Sequence, residues 1–324
     1  MTFTRTVELP VSPDEAFALI TEPERLRRWK AVSASVDLRA GGTYRFTIVP
    51  GHTAVGTYRE VEPGRRIVFG WGWEGSPDLP PDASTVIVTI EPFQAGSRVT
   101  LVHEGLDLEQ EVSHAAGWNH FLDRLEKLTA TGDAGADSWA WAPEDLDPVI
   151  ASDAVLAALQ PVLRGISEGD RGKPTPCAEY TCHDLIEHLA HSLIQLGAMS
   201  GAEISDDADG SLENRIAVLS GRVIDSWRAR GTHGSVPGGD GGEMPAEFIA
   251  SILPLELALH GWDLAQASGQ TLRLSEEVVA YLRELAESVV PAGRGRSFGP
   301  EVEPAPDAAP LDRLAAYAGR RLLV

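Results

Sequence analysis

Between Thr131 and Pro148 the chain reads TGDAGADSWAWAPEDLDP, a run of Gly, Ala, Asp and Pro with neither the 3.6-residue period of a helix nor the alternation of a strand. Such a segment cannot contribute a continuous apolar face, so it divides the 324-residue chain into two folding units of ordinary size, each of about 100 to 200 residues. The expected division is 1–132 for a first domain, 133–148 for a linker and 149–324 for a second domain. Charge follows the same boundary. Cutting at Gly132 leaves 13 basic and 18 acidic residues before it and 14 and 30 after it, so −5 and −16 of the net −21 fall on the two sides. A surface this acidic repels nucleic acid and anionic lipid.

Two cysteines, Cys177 and Cys182, are too few for a disulfide framework, and the opening MTFTRTVELP lacks the basic and apolar regions of a secretory signal. No uncharged apolar run approaches about 20 residues. These features lead to the expectation of a cytoplasmic protein whose partner is a small molecule rather than nucleic acid or a membrane. Nothing in them sets an oligomeric state.

The first half reads as α+β. A strand over Phe3–Leu9 meets Pro10, and SPDEAFALIT then places Ser12 as N-cap, Pro13 at the first helical position and acidic residues in the first turn. Strand patterns follow at Ala34–Leu38, Gly42–Val49, Ala54–Val61, Arg65–Trp73, Thr85–Pro92 and Ser97–Glu104, mostly separated by Gly or Pro turns, and predict an antiparallel meander. Leu108–Ala130 has an amphipathic period and predicts a long helix for the sheet to wrap. Trp71 and Trp73 alternate onto one strand face, and with Phe46, Phe69, Trp118 and Phe121 they are candidates to line a ligand cavity; plain core packing is the other reading. His52, His103, His114 and His120 are scattered, with no nucleophile, base and carboxylate at a catalytic spacing.

Several segments carry a resemblance: Glu22-Pro-Glu-Arg-Leu-Arg-Arg-Trp29, the Leu38–Phe46 hairpin, Gly56–Pro63, Arg66–Trp71 and Gly117–Leu125. Together, over about residues 1 to 130, they are similar to the activator of heat-shock-protein-90 ATPase-like branch of the START-like (SRPBCC) superfamily. That resemblance implies a helix-grip fold with an apolar cavity between the sheet and the long C-terminal helix.

The second half turns helical. Helices are expected over Val149–Ile166, Cys182–Met199, Leu212–Arg228 and about Pro245–Ala267, with a further one over Ser275–Val289. The Thr181-Cys-His-Asp184 run resembles a capping box, and the Gly-rich stretch Gly231–Gly242 is a long connection, so a four-helix bundle with a crossover is predicted. Glu256 and His260 stand at i and i+4 among Ile252, Leu255, Leu259 and Trp262, with Asp263 following on nearly the same face. His188 sits on the apolar stripe of the Cys182–Met199 helix. Buried carboxylate and imidazole groups cost several kcal/mol (about 2–7 for an unpaired polar group) unless paired or metal-bound. Two His and one Glu on facing helices make the three-donor set of an open divalent site. On spacing alone a satisfied core His and a Glu/His ion pair outweigh a metal site, with His183 and His191 as weaker ligands and His191 and Asp263 as groups that could support the ligands from behind.

A second resemblance is carried by Thr175–Ala190, by Glu256-Leu-Ala-Leu-His-Gly-Trp-Asp-Leu-Ala265 with Gly269-Gln270, and by Phe298–Val302 with Pro310–Gly319. These three motifs, over about residues 149 to 324, are similar to the mycothiol-dependent maleylpyruvate isomerase group of DinB-like metal-binding proteins. The resemblance implies an all-α DinB-like bundle in which His188, Glu256 and His260 hold a divalent metal, zinc by preference, with mycothiol as the thiol cofactor. It also directs attention to Arg294, Arg296, Arg320 and Arg321 as groups for an acidic substrate or cofactor. The expected function is a metal-dependent, mycothiol-using isomerase or thiol transferase acting on an electrophilic small molecule, with an apolar ligand in the first domain. The alternative is a non-catalytic small-molecule-binding or stress-related protein with a structural or vestigial metal site.

Overall fold

The computed structural model describes residues 2–238 and 241–323; Gly239 and Asp240 of the Gly-rich stretch, together with Met1 and Val324 at the expected domain ends, lie outside the described residues. The chain divides into two compact units at Asp137/Ser138, inside the 133–148 segment.

Unit 1 runs β1 (Thr2–Leu9), α1 (Pro13–Thr21), α2 (Pro23–Leu26), β2 (Ser33–Val36), β3 (Thr43–Val49), β4 (His52–Glu62), β5 (Arg66–Trp73), β6 (Ser84–Phe93), β7 (Gly96–Glu104) and α3 (Leu108–Thr131). The strands form one antiparallel sheet in the order β1-β7-β6-β5-β4-β3-β2, so consecutive strands pair as a meander and β1 returns to the far edge beside β7. Register shifts between Thr47 and Val49 and between Tyr58 and Glu60 mark bulges, which bend and twist the strands that carry them. Strand alternation places Tyr44, Phe46, Phe69, Trp71, Val86, Val88, Val99 and Leu101 in one buried cluster with Trp118, Phe121, Leu122, Leu125 and Leu128 of α3. The antiparallel sheet with a long C-terminal helix fits the helix-grip expectation.

Local chemistry fixes the ends of the helices. Ser12 accepts from the Glu15 N–H at 3.2 Å, and Asp107 with Gln110 forms a reciprocal capping box at the start of α3. Gly132 closes α3 with φ 83°, a left-handed conformation that glycine adopts at little cost. Gly72 on β5 serves a different need. A Cβ there would meet the Pro80 carbonyl oxygen at 1.9 Å, so the missing side chain lets the loop before β6 lie directly on the strand.

Unit 2 is helical. It contains α4 (Pro148–Gly165), a single 3-10 turn (Glu168–Asp170), α5 (Cys182–Met199), α6 (Leu212–Arg230), the hairpin β8 (Ser235–Pro237) with β9 (Glu243–Pro245), α7 (Ala246–Ser268), α8 (Glu276–Gly293) and α9 (Pro310–Tyr317). Helix α4 packs on α6 and α7, and α5 packs on the same two, which closes a ring of four helices; α8 covers α7 and α4, and α9 covers α8. Thr181 and Asp184 form the capping box that the sequence suggests. The hairpin inside the Gly-rich stretch and the helix α9 are additions to the predicted elements.

Helix α7 is interrupted by Glu247, Glu256 and Asp263, so it too contains no uncharged run near 20 residues. Ala246–Ser268 is by length and composition apolar enough to cross a membrane, and 83% of its apolar window is buried within the protein. It is apolar nearly all round because α4, α5 and α8 pack on it.

A candidate metal centre and an aromatic cavity

Helices α5 and α7 bring His188, Glu256 and His260 together, with one donor atom from each lying within 4.8 Å of the others. Glu256 Oε1 is 3.6 Å from His188 Nε2 and 3.4 Å from His260 Nε2. Both separations are long for charge-assisted hydrogen bonds, which close to about 2.7–2.9 Å. They lie nearer the edge of a tetrahedron, the shorter matching it and the longer exceeding it by about 0.2 Å: donors about 2.0–2.1 Å from a zinc ion stand about 3.3–3.4 Å apart. The other ring nitrogens are occupied from outside. His260 Nδ1 lies 3.2 Å from Asp263 Oδ2, and His188 Nδ1 lies 3.4 Å from the Tyr180 hydroxyl, whose ring stacks on the imidazole at 4.9 Å. Both Nε2 atoms are therefore left facing Glu256.

The surrounding shell is polar and specific. Arg320, after α9, donates from Nε to Asp263 Oδ2 at 3.1 Å, while Asp263 Oδ1 is buried without a hydrogen-bond partner. Burial pushes the Glu256 carboxyl up, but His260, Ser192 and His188 pull it down further, to about 2. Burial lowers His260, and Glu256 and Asp263 outweigh it and push the imidazole up to about 9. Burial dominates at His188 and lowers it. The side chains alone thus hold an imidazolium against a carboxylate.

A second grouping, Cys177, His260 and Asp263, also has donors within 4.8 Å. It makes the poorer ion site. Its His260 nitrogen would have to leave Asp263, and burial, with Asp263 adding to it, pushes the Cys177 thiol up to about 11. Cys177 and Tyr180 arrive through the loop before α5, which is held by bonds from Thr175 Oγ1 to the Cys177 and Tyr180 carbonyls. Both lie in the Thr175–Ala190 motif, but neither stands at a helical spacing that points to the site.

Other expected participants go elsewhere. His191 is exposed and bonded to Gln195. Arg294 donates to the Gly299 and Tyr317 carbonyls and lies over the Tyr317 ring, so it ties the segment after α8 to α9 rather than waiting for a ligand. Arg296 is exposed, with one long bond to the Ala292 carbonyl. Of the four arginines, Arg320 is the one brought to the cluster.

In unit 1 the sheet and α3 enclose a cavity of about 20 Å³, room for about one water. Phe46, Phe69 and Trp118 line it as expected, together with Lys30, Trp29 and Tyr58. Trp71 stands beside Lys30 Nζ, whereas Trp73 bonds His114 and Phe121 packs in the core against His120. Two of the scattered histidines converge: the rings of His103 and His114 are 5.1 Å apart. Trp118 Nε1 donates to His103 Nδ1, so His103 Nε2 carries the proton and donates to Ser84 Oγ, which donates to the Trp71 carbonyl. Burial, then His114 and Lys30, lower His103 to about 3, keeping it neutral.

Residues 10–130 match the family model described as Activator of Hsp90 ATPase homolog 1-like protein. The chain is 29% identical over 190 residues to the uncharacterized protein Rv0738 of Mycobacterium tuberculosis, covering 54% of this chain and 98% of that one; this stretch is longer than unit 1, so it includes part of unit 2. Among solved structures, the AHSA1-like protein of Rhizobium etli is 34% identical, covering 45% of this chain and 91% of that one with a TM-score of 0.37. CalU16 of Micromonospora echinospora is 27% identical, covering 40% and 77% with a TM-score of 0.34. Residues 10–130 of this chain therefore form a domain of the Activator of Hsp90 ATPase homolog 1-like family, of the START (SRPBCC) type.

Proposed function

We propose that unit 2 is a DinB-like, maleylpyruvate isomerase-like bundle holding a divalent cation, zinc by its nitrogen and oxygen donors, on His188, Glu256 and His260. In this reading the protein is a metal-dependent isomerase or thiol transferase that uses mycothiol against an electrophilic small molecule. The observation that carries it is Glu256 Oε1 standing 3.6 and 3.4 Å from two imidazole Nε2 atoms whose opposite nitrogens are already engaged. The ion would supply Lewis acidity that keeps a thiol ionised at neutral pH.

The protein's own groups do the rest. Three side-chain donors would hold the ion and leave it open to the thiol. Asp263 fixes the His260 ring through Nδ1, Arg320 offsets the Asp263 charge, and Tyr180 stacks on His188 to hold its plane. The test is metal content of the full chain after zinc loading and dialysis. Close to one zinc per chain is expected, with loss of zinc and of thiol-transfer activity in His188→Ala and Glu256→Ala; a wild-type protein that retains none sinks the reading.

A second reading rests on the cavity of unit 1 and on the small-ligand and chaperone-activator character of AHSA1-like domains. In it the protein is a non-catalytic ligand-binding or stress-related protein, and the cluster in unit 2 is structural. Ligand binding or Hsp90 ATPase stimulation by the full chain that is unchanged in His188→Ala supports this reading over the first.

A further inference from the structure

Of the 27 basic residues, 24 are arginine and three are lysine, at positions 30, 127 and 173. Lys127 and Lys173 are exposed, and Lys173 pairs with Asp170. Lys30 is 5% exposed, in the turn after α2, between anchors that fix its backbone: its own N–H donates to the Leu26 carbonyl, and Arg124 donates to the Trp29 carbonyl. No carboxylate or carbonyl oxygen among the described residues accepts from its amine. Four rings surround it instead, with Nζ 4.7 Å from the Phe46 centroid, 4.9 Å from Trp118, 5.2 Å from Trp71 and 6.0 Å from Phe69.

A base that only had to fill this box could be arginine, which the chain uses almost everywhere else, and whose guanidinium stacks well on aromatic faces. Lysine differs in one chemical respect: it can lose its proton and become a nucleophile. We infer that Lys30 is an imine-forming amine, and that the cavity of unit 1 captures small aldehydes of one or two carbons. This inference is independent of the metal site in unit 2.

The cavity suits that class. Its volume, about 20 Å³ and so room for about one water, matches the smallest carbonyl compounds and excludes larger ones without rearrangement. Trp71, whose ring centroid is 5.2 Å from the Lys30 amine, carries a buried indole N–H with no acceptor, and the amine is itself a donor. Donors without acceptors match a group that only accepts, such as a carbonyl oxygen. Burial lowers the Lys30 amine to about 7, so much of it is neutral under ordinary conditions. The titratable groups nearest the cavity are His103, held neutral, and Tyr58, whose hydroxyl burial pushes above its usual value.

The step balances without a co-reactant. The Nζ lone pair forms a bond to the aldehyde carbon, the C=O π pair moves to oxygen, and a proton passes from nitrogen to that oxygen. Loss of the C–O bond with a second proton from nitrogen releases water and leaves the neutral C=N imine. A dry aromatic wall favours the side of this equilibrium that has expelled water.

The experiment is reductive trapping of the full-length chain with acetaldehyde, and separately formaldehyde, in the presence of cyanoborohydride. Peptide mapping then reads Lys30, Lys127 and Lys173 individually. Alkylation of Lys30 at least ten times faster than of Lys127 is expected, with half-maximal rate near pH 7 while Lys127 continues to gain toward its higher ordinary value. Lys30 left unlabelled by both aldehydes while Lys127 and Lys173 react overturns the inference, as does a Lys30 rate that tracks Lys127 across pH. Either result would make Lys30 a packing cation.

Discussion

Asp263 holds the Nδ1 side of His260 at 3.2 Å, and this contact turns the opposite nitrogen of that imidazole toward Glu256. The carboxylate is fully buried, and His260 and Arg320 both bond its Oδ2 while Oδ1 has no hydrogen-bond partner. Removing its charge while keeping its shape separates orientation from ligation. Asp263→Asn is expected to weaken zinc affinity by about 10- to 100-fold with the bundle intact. Competition against a chromophoric chelator measures it, and unchanged affinity would detach Asp263 from the centre.

Cys177 offers a contrast. Its thiol shares the neighbourhood of His260, yet burial keeps it protonated. Cys177→Ala should leave zinc stoichiometry at the wild-type value under conditions where His188→Ala loses it, as read by elemental analysis of both variants. Loss of zinc in Cys177→Ala would move the ion to the other face of His260.

Proton release would report a cation binding at the cluster. His260, raised from 6.5 to about 9, contributes stability that is complete below pH 6.5 and is lost as pH rises through 9. Glu256, lowered from 4.5 to about 2, contributes stability present above pH 4.5 and lost as pH falls through 2. The pair thus stabilises the bundle most between pH 4.5 and 6.5. A cation that takes the place of the His260 proton releases about one proton at pH 7.5. Zinc titration calorimetry in two buffers of different ionisation enthalpy should show it, and identical heats would contradict it.

Lys30 gives unit 1 the opposite slope. Its folded value, about 7, lies below the ordinary 10.5, so between these limits the unfolded chain binds more protons and stability rises with pH. Below pH 7 the burial cost is complete, and the surrounding rings offset part of it, since each cation–π contact is worth about 0.5–2 kcal/mol. Lys30→Met should stabilise unit 1 by roughly 1–3 kcal/mol at pH 6 and flatten the rise toward pH 10. Hydrogen exchange of the α3 amides reports on this unit alone; a variant less protected than wild type at pH 6 would be the contrary result.

Elements with a local signal are legible in the amino-acid sequence. Pro13 behind Ser12 starts α1, Thr181 and Asp184 cap α5, and the alternation through Phe69-Gly-Trp-Gly-Trp73 identifies β5. The i and i+4 spacing of Glu256 and His260 puts both on one face of α7, and His188 on α5 meets them there. What stays hidden in the sequence depends on distant segments meeting. His103 approaches His114 because β7 and α3 pack in one core, and Arg320 reaches Asp263 across 57 residues. Cys177 and Tyr180 lie in a loop whose shape comes from carbonyl contacts with Thr175. Arg294 reads as available for a ligand because its acceptors are backbone carbonyls, which leave no trace in a pattern of side chains.

The crowding of indole rings around Lys30 has an optical consequence. Trp71 lies 5.2 Å from Trp118 and 5.5 Å from Trp73, and His103 or His114 touches each of these rings. Excitation is shared between chromophores this close, and its emission is sensitive to the charge on the amine that the cage rings face. Trp118 of the cavity wall belongs to this coupled set, and a change of occupant or of protonation at Lys30 can be watched in the intrinsic emission without a label.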